Sequence, residues 1–497
     1  MCGIYFCICN PQSHVASCAT WRSECQEMLV RRGPNNVGLL ERQIGTKHNI
    51  VAYSTVLWLQ GDSMTCQPLV DDDMNILMWN GDIYTMKDVE KNCDESDTAL
   101  LSRELALCKD VESVLRCMSR ISGPWAMVYF QASSNKLWFG RDFFGRQSLL
   151  FHKGDDSLAL SSCVMSNMTS FSELPALGLY CCDFESNGSI GELVLYPWDC
   201  MKDSIDLETV KCTTSHLVIQ SPVMFHLFNE KSELSVEIKC DGDLFDILLS
   251  DSMVSEFVDQ FIDVLKESIK TRITNHPSKC KNCIFDSSPY PCFHSSVAIL
   301  FSGGLDSCVL AHYASELLPP DQQLHLLNVA FLKDGGSPNV PDRITGIQAF
   351  KVGSHICTPV IEFLKKFQEL QVIHPNRPLS LVLVDVGLDE LKSERSSHIK
   401  NLLHPLNTVL DDSIGCAIWF AARGRGVDFV TKQDVDTPAR VLLLGMGIDE
   451  QLGGYSRHRT RYFKEGFHGL ADELKMELLR ISERNLGRDN RIVRILS

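Results

Sequence analysis

Along residues 1–180, short apolar runs alternate with turn residues. "NIVAYSTVLWL", "MNILMWNG", "WAMVYF" and "KLWFG" are rich in β-branched and aromatic side chains, and Gly, Asn or Asp closes several of them. That pattern predicts many short strands. One helix interrupts them, "DTALLSRELALC", with Ser96 or Asp97 as its cap and Leu100, Leu101, Leu105 and Leu107 as its apolar side. The first domain is therefore expected to be an α+β sheet domain over 2–180. Residues 181–250 are less regular, acidic and Ser-rich, with "SHLVIQ" and "ELSVEI" as short strands. "SEFVDQFIDVLKESIKTRI" then reads as an amphipathic helix, Phe257, Phe261, Val264, Leu265 and Ile269 recurring near the helical period. The stretch 181–285 is taken as a connecting region. From 286 to 497 the pattern changes: "VAILF", "LHLLNVAF" and "ARVLLLG" are continuous apolar strands, as in a parallel sheet buried on both faces. The second domain is expected to be α/β.

A length of 497 residues fits two or three domains. The net charge of −16, without a basic run, argues against a nucleic-acid surface. No stretch reaches 18 apolar residues and no basic segment leads into an apolar run at the start, so neither a membrane span nor a secretory leader is expected. The 21 cysteines are scattered through a large chain, which fits mostly reduced thiols in a cytoplasmic protein better than a disulfide framework.

Cys2 directly follows Met1 in "MCGIYFCICN". Removal of Met1 would give Cys2 a thiol and a free α-amine, a nucleophile and a base in one residue. In "VAILFSGGLDSCVLAHYASELL" an apolar strand runs into Ser302-Gly303-Gly304-Leu305-Asp306-Ser307 and then a helix. Two glycines, two hydroxyls and a helix N-terminus make a phosphate cradle, and Asp306 beside phosphates suits Mg2+. "VLLLGMGIDEQLGGY" ends another strand in glycines and supplies Asp449 and Glu450, the latter read as a solvated acidic turn. Both aspartates fall beyond strand carboxyl ends, where ligands of open α/β sheets bind. Cys280, Cys283, Cys292 and His294 form C-x2-C-x8-C-x-H, either a zinc site of unusual spacing or a plain loop in a Cys-rich chain.

These motifs resemble the glutamine-dependent asparagine synthetase family, in order and register over nearly the whole chain, and a divergent subgroup of it most of all. The resemblance implies a class II glutamine amidotransferase domain of Ntn-type αββα fold, followed by an ATP-pyrophosphatase (adenine nucleotide alpha hydrolase-like) domain. Cys2 matches the nucleophile. "RRGPNN" matches an R-G-P-D element, "NGDIY" an N-G-E-I-Y, "ESDT" an S-D and "GRDFFG" a G-R-D-x-x-G. Asn80 and Gly81 would then form the oxyanion hole, and Arg32 and Asp97 would bind glutamine, Asp97 through its amine. Ser302–Ser307 and Gly447 would bind ATP, with Asp306 and Asp449 on Mg2+. The implied substrates are glutamine, aspartate and ATP.

Four departures stand out. Thr55 occupies the place of the family's carboxylate-binding arginine, Asn35 replaces an aspartate and Met446 replaces an acid. The chain given stops at "NLGRDNRIVRILS", where a helical segment with a pyrophosphate-contacting lysine follows in the family. Two functional classes follow: an asparagine synthetase-like ligase, or a catalytically weakened relative acting as a binding or assembly component. A ligase with another acyl acceptor, of β-lactam synthetase type, is a third. The departures lead one to expect nucleotide binding to exceed asparagine synthesis, and a short synthetase half to call for a protein partner or a second copy of the chain.

Overall fold

The computed structural model describes residues 2–9, 15–44, 48–92, 94–154, 157–184, 190–198, 217–219, 252–274, 279–286, 292–332, 340–351, 377–481 and 487–492. The strand expected at "ELSVEI" lies outside them. Two compact units are present: Met1–Leu227 with Glu394–Trp419 and Met446–Ile495, and Phe228–Ser393 with Phe420–Gly445 and Leu496–Ser497.

The first unit runs β1 (Gly3–Cys9), α1 (Val15–Arg32), β2 (Asn36–Ile44), β3 (His48–Val56), β4 (Leu69–Val70), β5 (Ile76–Gly81), β6 (Thr85–Met86), α2 (Asp97–Ala106), α3 (Val111–Ser119), β7 (Ile121–Ser122), β8 (Trp125–Gln131), β9 (Lys136–Arg141), β10 (Leu150–Lys153), β11 (Ser157–Ser161), β12 (Ser172–Glu173), β13 (Gly178–Phe184), β14 (Ile190–Pro197) and β15 (Leu217–Ile219). One sheet has the order β12-β10-β11-β1-β3-β2, and another β15-β14-β13-β9-β8-β5-β4.

Alternation along single strands shows how the two sheets are layered. Ile4, Phe6 and Ile8 of β1 share one core with Ile76 and Met78 of β5 and with Ala126, Val128 and Phe130 of β8. Tyr5, Cys7 and Cys9 point the other way, into a core with Cys25 and Leu29 of α1. Leu77, Trp79, Trp125, Met127 and Tyr129 face a third core with Leu100, Leu101 and Leu105 of α2 and Val114 of α3. Each sheet is thus apolar on both faces, which explains why these antiparallel strands read as continuous apolar runs. The layers are helix, sheet, sheet, helix. β13 and β14 carry the second sheet past residue 180. Ser96 caps α2 by accepting from the Ala99 N–H at 3.2 Å, and Leu107, expected on the apolar side, is 70% exposed beyond the helix end.

The second unit holds α4 (Ser252–Thr274), β16 (Val297–Leu300), α5 (Leu305–Leu317), β17 (Leu324–Phe331), α6 (Pro341–Lys351), β18 (Leu379–Val386), β19 (Arg425–Asp428), β20 (Asp434–Asp436) and β21 (Val441–Leu443). Its sheet has the order β20-β19-β18-β17-β16-β21; β16, β17, β18 and β21 pair parallel, and β19 and β20 form an antiparallel edge. The chain moves from β16 outward to β18 and then returns to the other side of β16. The strand order therefore reverses between β16 and β21, the switch point of a doubly wound sheet. α4 packs through Ile262, Leu265, Ile269 and Ile273, whereas Phe257 and Val264, expected on its apolar side, are exposed.

Among the described residues, fourteen cysteines are free thiols and Cys7 is disulfide-bonded. No described helix is long and apolar enough to cross a membrane.

Candidate active site

Cys2 leads into the central strand β1 and lines a pocket with Leu57, Gln67, Asn80, Gly81, Asp82, Asp97 and Gln147. Its backbone N–H donates to Asn80 Oδ1 at 2.8 Å, and its Sγ lies 4.0 Å from both the Leu57 carbonyl and Gln67 Nε2. Burial pushes the thiol pKa above its ordinary value, against the nearby Arg32 charge. The resting thiol is therefore protonated, and nucleophilic attack needs a base.

Asn80, next to last in β5, faces Cys2, and its Nδ2 donates to Gln147 Oε1 at 3.1 Å, which leaves the second N–H of that amide for the pocket. Gly81 supplies another donor. The Asp82 N–H bonds Pro124 O at 2.9 Å, so by the alternation of an antiparallel ladder the Gly81 N–H points away from β8. A Cβ at Gly81 would lie 2.4 Å from Pro124 O, so no side chain fits there.

Asp97 is 2% exposed at the start of α2. One carboxylate oxygen accepts from the Ile83 N–H at 2.7 Å and the other from Lys91 Nζ at 2.5 Å. Burial raises its pKa to about 6, partly countered by Lys91. Lys91 thus supplies, within the chain, the kind of cation that a substrate amine would bring.

Two residues stand elsewhere than the sequence suggested. Arg32, expected to bind glutamine, does not line this pocket. Its Nη1 and Nη2 bond Asn490 O at 3.0 Å and Asn490 Oδ1 at 2.9 Å, and its Nε lies 3.5 Å from Cys2 O. It sits behind Cys2 because Asn490, in the short helix Gly487–Ile492, occupies its fork. Thr55 is also outside the pocket. It is fully buried, accepts from the Gly3 N–H at 3.1 Å and donates to Leu29 O at 2.5 Å, so it closes β3 onto β1 and α1. Asn35 holds the chain there in place of the family's aspartate, its Oδ1 accepting from the Trp58 N–H at 2.9 Å.

Sequence reading missed Gln67, Lys91, Gln147 and Asn490. Gln67 Oε1 accepts from the Trp79 N–H at 2.7 Å, and its Nε2 donates to Trp79 O at 3.0 Å and to Thr98 Oγ1 at 3.2 Å. Gln147 carried one faint signal, its place just after "GRDFFG". Arg141 of that motif donates to Gln147 O at 2.7 Å and Leu174 O at 2.8 Å, so the motif aims Gln147 at Asn80. Asn490 Nδ2 donates to the same Gln147 Oε1, while Asn490 Oδ1 accepts from Arg32 and from the Ser148 N–H at 3.1 Å. The amide chain Asn490–Gln147–Asn80 is oriented from both ends by groups that can only donate.

In the second unit the loop after β16 is closed on itself. Gly303 has φ +81°, and its N–H donates to Ser307 Oγ at 3.2 Å, while the Gly304 N–H donates to Ser302 Oγ at 3.2 Å. Ser307, expected to offer its hydroxyl outward, donates it to Gly304 O at 3.0 Å and shapes the loop instead. Gly304 caps α5 without a side-chain hydrogen bond. The amides of Leu305 to Ser307 have no partner within the helix and form an anion seat at its N-terminus, with Asp306 in the same turn. These residues fit a phosphate with a hard cation. Gly445 follows β21 beside this turn, a Cβ on it falling 3.0 Å from Asp306 Cβ, so the loop lies at the switch point of the sheet.

The second signature continues in the first unit. Gly447, at φ +92°, starts the helix Ile448–Leu452, and the Gly453 and Gly454 N–H groups bond Asp449 O at 3.0 and 3.1 Å. Glu450 is not the solvated turn residue expected. It is 3% exposed and accepts from the Tyr455 hydroxyl at 2.8 Å. Cys280, Cys283, Cys292 and His294 gather in the second unit, their donor atoms within 4.8 Å of one another.

Comparison with known proteins adds to this geometry. A glutamine amidotransferase domain model matches residues 1–177. Asparagine synthetase domain-containing protein 1 of Bos taurus is 36% identical over 94% of this chain and 81% of its own length. The chain belongs to the asparagine synthetase domain-containing protein 1 family. Members from Homo sapiens (35% identical, 94% of this chain and 80% of theirs) and Gallus gallus (35%, 99% and 86%) match to a similar extent. Among solved structures, glutamine phosphoribosylpyrophosphate amidotransferase from B. subtilis is similar at 12% identity with a TM-score of 0.29, over 37% of this chain and 48% of that one.

Proposed function

We propose that the protein is a glutamine-dependent, ATP-driven amide ligase that moves glutamine's amide nitrogen onto the side-chain carboxylate of aspartate. The observation that carries this reading is the pocket at Cys2. There a nucleophile, two oxyanion donors and a buried carboxylate converge at the head of β1, in a chain of the asparagine synthetase-like family.

Removal of Met1 would leave an α-amine on the Cys2 nitrogen, which already contacts Asn80 Oδ1. That amine, with a pKa of roughly 7.7–8.0, takes the thiol proton. The thiolate attacks the glutamine amide carbon, and Asn80 Nδ2 and the Gly81 N–H receive the oxyanion. Each such donor stabilises the transition state by about 2.7–4 kcal/mol. Collapse expels ammonia, and water releases glutamate from the thioester. Asp97 holds the substrate ammonium in exchange for Lys91.

In the second unit, ATP binds with its phosphates on the N-terminal turn of α5, the Ser302–Ser307 loop framing it. ATP adenylylates the aspartate carboxylate, with loss of pyrophosphate, and ammonia displaces AMP to give asparagine. Asp306, in the same turn, would hold Mg2+, which would offset charge on the leaving pyrophosphate.

The test uses purified full-length chain. Glutamine hydrolysis should vanish in Cys2→Ala, and that variant should still make asparagine from ammonia. Wild type should catalyse ATP–pyrophosphate exchange only with aspartate present. ATP binding without any aspartate-dependent exchange would overturn the ligase reading. A retained Met1, seen by intact mass, would remove the α-amine as the base.

A further inference from the structure

The cluster formed by Cys280, Cys283, Cys292 and His294 is used by nothing in the proposed reaction. We infer that these four side chains hold a structural zinc ion at the amino-terminal edge of the second unit's parallel sheet.

Geometry comes first. Tetrahedral zinc with Zn–S of about 2.3 Å and Zn–N of about 2.0–2.1 Å has S···N edges of roughly 3.6 Å and S···S edges of roughly 3.8 Å. His294 Nδ1 lies 3.7 Å from Cys280 Sγ and 3.5 Å from Cys283 Sγ, and all four donor atoms fall within 4.8 Å of one another. The three thiols are free, so no disulfide accounts for their approach. The Cys280 N–H donates to Cys292 Sγ at 3.1 Å, a bond that favours a thiolate there. The tight turn of the C-x2-C pair is closed by the Cys283 N–H on Cys280 O at 3.1 Å and the Asp286 N–H on Cys283 O at 3.0 Å.

Charge gives a second, independent pointer. Three thiolates with Zn2+ carry a net charge of −1. Arg440 is 5% exposed, lies within electrostatic reach of Cys280, and has a buried Nη2 without a hydrogen-bond partner. A buried guanidinium with an unused donor is costly unless an anion faces it. The metal–thiolate centre provides that anion.

Position explains what the ion does. The Lys281 N–H bonds Pro438 O at 2.9 Å, and the Arg440 N–H bonds Ser296 O at 2.8 Å, so the cluster ties the segments entering β16 and β21 together. Those are the two strands whose far ends carry the phosphate loop and Gly445. Four protein ligands leave no open coordination position, so the ion is a staple and not a reaction centre.

Full-length protein, purified under reducing conditions without chelator, should contain one zinc ion per chain by inductively coupled plasma mass spectrometry. Replacement by Co2+ should give the intense thiolate-to-cobalt charge-transfer absorption of a thiolate-rich tetrahedral site. Cys283→Ser should lose the metal, His294→Cys should keep it through a four-thiolate set, and Cys66→Ser, at an exposed cysteine outside the cluster, should leave it unchanged. Wild type with neither zinc nor a cobalt charge-transfer band overturns the inference, a readout that needs no variant to fold. A Cys280–Cys292 disulfide found by peptide mapping overturns it equally.

Discussion

Asp97 is a buried carboxyl in the Cys2 pocket, placed to hold the substrate ammonium in the proposed reaction. Its pKa is raised to about 6, burial being the main cause. Only the ionised form attracts an ammonium, so the grip is full above about pH 7 and is lost as pH falls through about 6. Glutamine kcat/KM, already falling below the α-amine's pKa of roughly 7.7–8.0, should therefore steepen on the acid side in a second limb near pH 6, and Asp97→Asn should remove this second limb while raising KM on the order of a hundredfold. Lys91→Met takes away the cation that holds the pKa down, so the limb should move to higher pH. An unmoved limb would show that another group titrates. Thr55 leads to a different expectation. Its hydroxyl bridges Gly3 and Leu29 in a fully buried position. Thr55→Arg would force a long cation into packed backbone, so thermal melting should show a loss of several kcal/mol of stability and no gain in glutamine affinity. A stable variant with lower KM would restore the view that position 55 faces the substrate. Sequence alone could not separate these cases, because motif alignment fixes a residue's place along a strand and not the face its side chain takes.

At the scale of elements, the strand–turn–helix around Ser302–Ser307 was legible because everything it needs lies within about twenty residues: an apolar strand, two glycines and an apolar-sided helix. Its requirement for glycine is equally local in cause but tertiary in detail. Gly303 has φ +81°, and a Cβ there would sit 2.5 Å from the Thr345 carbonyl of α6. Gly303→Ala is thus both strained and obstructed, and ATP affinity by calorimetry should fall more than tenfold while glutamine hydrolysis in the first unit persists. Equal affinity would mean that the loop has another way to turn. α4 shows the opposite limit. Its sequence carries apolar residues on two overlapping arcs, Phe257–Phe261–Val264 and Ile262–Leu265–Ile269–Ile273. Only packing against the second unit's core selects the latter. Glu450 likewise reads as a surface acid until Tyr455, five residues on, folds back onto it.

At the scale of the molecule, the least legible feature is the reach of Asn490, which bonds Gln147 across 343 residues. No periodicity or motif announces such a contact, since it arises only when the short helix Gly487–Ile492 docks with all six residues buried. Its consequence is a directional chain. Arg32 and the Ser148 N–H can only donate, so Asn490 must turn its oxygen to them and its Nδ2 to Gln147. Gln147 then presents Oε1 to Asn80 Nδ2, and Asn80 presents Oδ1 to the Cys2 nitrogen. Asn490→Asp keeps the shape and reverses one end. A carboxylate oxygen would replace the Nδ2 donor, so Gln147 must rotate its amide to offer Nε2. That nitrogen would then face Asn80 Nδ2, donor against donor, and Asn80 must rotate too, bringing its oxygen to the place where the oxyanion forms. The substitution should lower kcat for glutamine hydrolysis by about 10²–10³, the usual cost of losing one oxyanion donor, with a much smaller change in KM. Asn490→Ala removes the bonds without reversing them. It should cost about 1–3 kcal/mol of stability for each buried polar group left unpaired, and less catalysis than the aspartate variant. Steady-state glutaminase assays beside melting curves distinguish the two effects, and an aspartate variant with kcat within twofold of wild type would show that Asn80 does not take its orientation from this chain of amides.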